Sequence, residues 1–95
     1  MALIPFDDRD GSIWMDGEIV PWRDAKAHTL SHGLHYASLV FEGERVYAGK
    51  IFKEREHTVR LRQSSKWLDF YLPISDDAVG AAKQAVIAAA KIVDG

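Results

Sequence analysis

The stretch Ile13-Trp14-Met15-Asp16-Gly17-Glu18-Ile19-Val20-Pro21 decides the fold class. Asp-Gly stands between two short apolar runs, and both residues tolerate the positive φ of a type I′ turn, so the stretch reads as a β-hairpin. Pro21 closes its second strand, because proline has no N–H with which to continue a ladder. Further along, Leu39 to Tyr47 reads as a longer strand, with Lys50-Ile51-Phe52 as its partner across Ala48-Gly49. That turn is the weaker signal, since Ala resists positive φ. Between the hairpins, Ala25 to Ser38 fits neither period and reads as a loop with a helical turn. Two helices follow. Glu54 to about Phe70 has helical periodicity and is closed by Pro73. Ser75 is a good N-cap, with Asp76 and Asp77 in the first turn, where the helix dipole favours anions. From there Val79, Ala82, Val86, Ala89 and Val93 recur on one face, and Ala88-Ala89-Ala90 suits close packing on a sheet. The fold class is therefore α+β: an antiparallel sheet of hairpins with two helices packed on one side.

Length and composition bound the rest. Ninety-five residues make one domain, with residues 1–11 as an N-terminal arm and 12–95 as the folded unit. A chain of this size buries roughly 60–65% of its unfolded surface, enough for a two-layer core and too little for a deep cofactor cleft of its own. Hydrophobic residues at 47% and charged ones at 27% describe a soluble globular domain and exclude a disordered tail. A formal charge of −2 lacks the basic excess of a phosphate-neutralising nucleic-acid binder. The chain has no cysteine, which excludes disulfides and thiol nucleophiles and fits a reducing compartment. No apolar run reaches a membrane span, and Asp7-Asp8 spoils a signal-peptide reading of the first residues. The expectation is a cytoplasmic protein with no membrane or nucleic-acid partner.

Three groups of residues are candidates for chemistry. On the helix from Glu54, the positions His57, Arg60, Leu61, Ser64 and Leu68 share one stripe, which the two leucines mark as the buried one. Arg55, Val59, Arg62 and Lys66 fall on the opposite, solvated stripe. Arg60 is thereby placed among inward-facing residues, where an unpaired guanidinium would cost several kcal/mol. It is either an ion pair with Glu42, Glu44 or Asp69, or a two-point grip on a phosphate or carboxylate. On the strand, alternation puts Leu39, Phe41, Gly43, Arg45 and Tyr47 on one face and Val40, Glu42, Glu44 and Val46 on the other. The first face suits a ligand-pocket wall or a sheet face packed on another domain. Finally, His28, His32 and His35 have the spacing of a zinc arrangement on a helix. Gly33 interrupts that helix and no acid supplies a second shell, so no metal site is expected.

These same residues carry a family resemblance. Ser31-His32-Gly33-Leu34-His35-Tyr36, then Val40-Phe41-Glu42-Gly43 and Arg45-Val46-Tyr47, resemble the branched-chain amino acid aminotransferases. So do Ile51-Phe52 leading into Arg55-Glu56-His57-Thr58-Val59-Arg60-Leu61, the following Ser64-Ser65-Lys66, and the opening Ile13 to Glu18 with Asp24-Ala25-Lys26. The similarity runs over roughly residues 12–93 and extends to the wider class-IV aminotransferases, which are fold-type IV pyridoxal-phosphate enzymes. It implies the small N-terminal domain of that fold. By position, Arg60 matches the arginine that holds the phosphate of pyridoxal 5'-phosphate. Tyr36 and Phe41 match aromatics of the substrate side-chain pocket, and Gly43 and Arg45 match residues that frame it. The implied chemistry is transfer of the amino group of Leu, Ile or Val to 2-oxoglutarate through a lysine Schiff base.

No lysine of this sequence matches the Schiff-base position, which in the family lies in the larger second domain. The chain alone is therefore expected to be inactive, an N-terminal fragment of such an enzyme. The other reading is a stand-alone binding or scaffolding domain that keeps the small-domain fold without catalysis. With the Phe41, Gly43, Tyr47 face and the Ala-rich helix uncovered, the chain is expected to form a homo-oligomer, a dimer or larger.

Overall fold

The computed structural model describes residues 3–95. Strands β1 (Ser12–Met15) and β2 (Glu18–Pro21) form an antiparallel pair with Ile13 opposite Val20 and Trp14 opposite Ile19. Asp16 at φ 51° and Gly17 at φ 94° turn the chain between them, the positive angles that an Asp-Gly hairpin requires. A turn of 3-10 helix at Trp22–Asp24 follows, and α1 (His32–Tyr36) supplies the helical turn expected in the next loop. Strands β3 (Val46–Tyr47) and β4 (Lys50–Ile51) form a second antiparallel pair. Then come α2 (Glu54–Trp67) and α3 (Asp76–Ala90).

The molecule is a small α+β unit whose two hairpins form separate two-stranded sheets. The long strand expected over Leu39 to Tyr47 is hydrogen-bonded as a strand only at Val46 and Tyr47. A ladder needs a partner edge, and among the described residues none pairs with residues 39–44. At Val46 the edge is taken from elsewhere: the Val46 N–H donates to the Gly95 carbonyl at 2.7 Å, and the Val46 carbonyl accepts from the Gly95 N–H at 3.0 Å. On the other side, Phe52 N–H donates to the Arg45 carbonyl at 2.8 Å, so Phe52 does face the strand as its spacing predicts. Ala48 takes φ 50° despite its Cβ, held by a bond from its N–H to Asp94 Oδ1 at 3.0 Å.

Helix α3 is the hub, packed against β1, β2 and α2. Ser75 caps it by accepting from Ala78 N–H at 3.1 Å, as the sequence implies. Val79 is buried, and Ala82, Val86 and Ile87 are half-buried beside it. Ala88 and Ala89 are exposed, contrary to close packing of the alanine run on a sheet, because the helix stops at Ala90 and turns through Lys91 at φ 56°.

On α2 the buried stripe lies one step round from the expected one. Thr58 and Ser65 are covered, with Glu54, Leu61 and Arg62 half-buried alongside. Thr58 accepts a hydrogen bond from Lys83 of α3, and Leu68, expected to mark the core, is the half-exposed C-cap instead.

Candidate functional site

The segment before β3 keeps its two-residue alternation without a ladder. Leu39, Phe41, Gly43, Arg45 and Tyr47 are exposed, whereas Val40, Glu42, Glu44 and Val46 turn inward, the division that the sequence predicts. Two carboxylates at alternate positions therefore reach under the segment toward the helices. Their partners define the site.

Glu42 meets α2. Arg60 donates from Nε to Glu42 Oε2 at 2.8 Å and from Nη2 to Oε1 at 2.6 Å, a two-point fork. His57 Nδ1 lies 2.6 Å from the same Oε1. A carboxylate only accepts, so this nitrogen carries the proton and donates. The Arg60 fork first, and the His57 bond second, hold the Glu42 carboxyl down to about 2 from the ordinary 4.5. Of the two readings for Arg60, the ion pair with Glu42 is present. Its inward placement is not: the Arg60 side chain is 65% exposed while that of Glu42 is 9% exposed. The long guanidinium stem carries its head out of the helix seam toward the segment. The fork occupies Nε and Nη2, so the Nη1 edge is directed away from Glu42.

Glu44 meets α3. Lys83 Nζ lies 2.9 Å from Glu44 Oε2 and donates to Thr58 Oγ1 at 2.7 Å and to Glu54 Oε1 at 3.3 Å. Thr58 in turn donates to Glu54 Oε1 at 2.7 Å, which together with Lys83 lowers the Glu54 carboxyl below its usual range. Lys83 was not singled out by its sequence, although a lysine four residues after Val79, inside the apolar stripe, is the signal that could have found it.

Arg62 also departs from its expected solvated position. It donates from Nε to Asp76 Oδ1 at 2.7 Å and from Nη2 to the Ile74 carbonyl at 2.6 Å, tying the loop between the helices to α2. The rotated buried stripe brings it inward. Arg55 does stay exposed, paired with Asp77 at 2.6 Å.

The aromatic candidates lie on the open side. Phe41 is 80% exposed, and Arg45 sits 6.0 Å from the Tyr47 ring centroid. Tyr36, at the end of α1, meets the His35 ring edge-on at 4.7 Å between centroids. The structure thus joins Arg60 to the Phe41–Arg45 segment through Glu42. A separate apolar cavity of about 300 Å³ lies between the hairpins and α3, bounded by Trp14, Val46, Ile51, Val79 and Val86, with Glu44 and Lys83 at its wall. None of Tyr36, Phe41, Gly43, Arg45 or Arg60 lines it, so it is distinct from the candidate site.

Of the histidines, His28 Nδ1 accepts from Leu30 N–H at 3.0 Å, a local turn bond. The side chain of His32 lies outside the described residues, so the expectation about this trio goes no further. Among the described residues no group of three His, Cys, Asp or Glu side chains gathers to hold a metal ion.

Comparison with known proteins gives the site its context. The chain is 42% identical over 94 residues to a probable branched-chain-amino-acid aminotransferase of Rickettsia felis, covering 99% of this chain and 32% of that protein. It is 45% identical over 84 residues to the branched-chain-amino-acid aminotransferase of Pseudomonas aeruginosa. The crystal structure of the Escherichia coli branched-chain amino acid aminotransferase matches it with a TM-score of 0.85 at 39% identity, over 90% of this chain and 30% of that one. This chain is a relative of the branched-chain amino acid aminotransferases. It spans about a third of their length. A branched-chain aminotransferase from Thermoproteus uzoniensis, solved with norvaline, matches with a TM-score of 0.83 at 29% identity. No protein-family model matches the chain. Among the described residues no helix is long and apolar enough to cross a membrane.

Proposed function

We propose that this chain is the small, N-terminal domain of a pyridoxal-phosphate-dependent branched-chain aminotransferase, which passes the amino group of Leu, Ile or Val to 2-oxoglutarate. The observation that carries this reading is the joint match in sequence and fold to such enzymes over nearly all of the chain. The protein would work in the cytoplasm as a homo-oligomer on small amino and 2-oxo acids. The amine that forms the covalent link to the cofactor would come from the remaining two thirds of the enzyme.

Arg60 fits one arm of a phosphate site. Glu42 fixes the plane of its guanidinium by two bonds, and the Nη1 edge is left for an anion. A single fixed donor edge is not a whole pyridoxal site, so the rest of the cradle would be contributed by the larger domain. When bound, the cofactor supplies the electron sink that the amino-group transfer needs. The work of this domain is binding and orientation. Phe41, so exposed here, would cover the branched side chain of the substrate and exclude water from it. Tyr36, Gly43 and Arg45 would frame the same pocket, Gly43 by leaving room for close approach. In the complete protein, residues 39–45 would extend β3 and join the hairpins into one sheet with α2 and α3 on one side.

The test is cofactor affinity in the full-length protein carrying this chain. Arg60→Ala should weaken pyridoxal phosphate binding by about tenfold or more, the loss of one charge-assisted contact. Unchanged affinity removes Arg60 from the role. Analytical ultracentrifugation checks the oligomer, and a clean monomer contradicts it.

A further inference from the structure

We propose that His57 is a positioning residue for Arg60, acting through Glu42: its ring N–H sets the plane of the carboxylate, and the carboxylate aims the guanidinium. The phosphate part of this inference rests on the aminotransferase reading. Three N–H groups converge on the one carboxylate. Arg60 reaches its two oxygens at 2.8 and 2.6 Å, and His57 Nδ1 reaches Oε1 at 2.6 Å. Arg60 Nη2 and His57 Nδ1 come within 3.2 Å of each other. Nδ1 carries the proton that it gives to Glu42, so the two nitrogens share Oε1 as donors rather than bond one another.

The fork alone does not settle where Arg60 points. It fixes the guanidinium relative to the carboxylate, but the last torsion of a glutamate is broad and roughly two-fold, so the joined pair can turn together. A bond from a third group stops that rotation. His57 suits the task by position. It stands three residues before Arg60 on α2, so the two side chains share a face. Its side chain is 18% exposed and that of Glu42 is 9% exposed, against 65% for Arg60. The covered ring and carboxylate are thus the fixed part, and the guanidinium is the part held out to an anion. With the Glu42 carboxyl held down at about 2, it stays ionised near neutral pH and keeps both donors. A strand paired along residues 39–45 leaves this arrangement intact. Pairing uses backbone N–H and C=O groups, while alternation keeps Glu42 on the helix side. A guanidinium already held in one plane also loses less freedom when a phosphate arrives.

The experiment compares His57→Phe and His57→Asn in the full-length protein, with Arg60→Ala as reference. Phenylalanine keeps a ring and removes the donor, whereas asparagine carries an amide N–H near the place of Nδ1–H; His57→Ala repeats the first arm if the phenylalanine variant does not fold. The readout is the ratio of affinities for pyridoxal 5'-phosphate and pyridoxal, which isolates the phosphate. His57→Phe should lower that ratio about fivefold, and His57→Asn should recover most of it. Where residue 60 is already alanine, His57→Phe should lower it no further. Independently of the cofactor, the Arg60 Nε–H should exchange slowly with water by NMR in the wild type and in His57→Asn, and fast in His57→Phe. An unchanged ratio in His57→Phe overturns the inference. So does an equal loss in the Arg60→Ala background, because the effect then does not pass through Arg60. If Arg60→Ala itself leaves the ratio unchanged, the phosphate role of Arg60 fails instead, and the Nε–H exchange then decides the positioning claim.

Discussion

The two hairpins differ in where their stability is made. The first is local: Asp16-Gly17 turns the chain, and four residues pair on each side. The second turns through Ala48-Gly49 and pairs only two residues on each side. It is held from a distance, by Asp94 and Gly95 near the end of the chain and by Glu42 and Glu44 reaching to α2 and α3. The second region is thus held by partners distant in sequence, the first by its own turn and strand pairs. Glu42 and Glu44 are set by charge pairs with α2 and α3, and the alternate residues Phe41, Gly43 and Arg45 are exposed.

This contrast can be broken in a graded way. The largest effect should come from Lys83→Met, at about 2–4 kcal/mol, since removing one member of a mostly buried pair strands the others. Urea unfolding measures it, and a value near zero would mean that the second region does not depend on the α3 clip. Gly17→Ala should cost about 1–2 kcal/mol, because φ 94° suits glycine and not alanine. That loss should leave amide signals of β3 and β4 in place by NMR. Ser75→Ala should cost about 1 kcal/mol through the lost α3 cap. Ala48→Gly should stabilise by about 0.5 kcal/mol, since it relieves positive φ at the cost of a more flexible unfolded chain.

Acid should give the smallest effect, because Arg60 stands largely in water. Glu42 titrates at about 2 in the folded protein against an ordinary 4.5, so its contribution is complete above pH 4.5 and is lost as the pH falls toward 2. Stability should decline through that window, and Glu42→Gln should flatten the decline. Unfolding midpoints at pH 6 and pH 3 for both proteins decide it.

What could be read in the sequence divides along the same line. The first hairpin was legible because its turn chemistry sits inside it. The alternation from Leu39 to Tyr47 was legible too, as was Glu42 among the partners of Arg60. The long strand was not, because a strand depends on an edge that the segment's own residues do not encode. Leu61 and Leu68 suggest one facing for α2, whereas the small Thr58 and Ser65 are the residues it buries. That shift moved Arg60 outward and Arg62 inward. Lys83 escaped notice because Glu44 lies 39 residues away. Pairing at that distance leaves no local pattern.

The most direct measurement of the central claim compares pyridoxal 5'-phosphate with pyridoxal, which lacks the phosphate, on the wild-type full-length protein and on Arg60→Ala. The account predicts that the wild type strongly prefers the phosphorylated form and that the substitution erases about tenfold or more of that preference. An equal preference in the two proteins would contradict it.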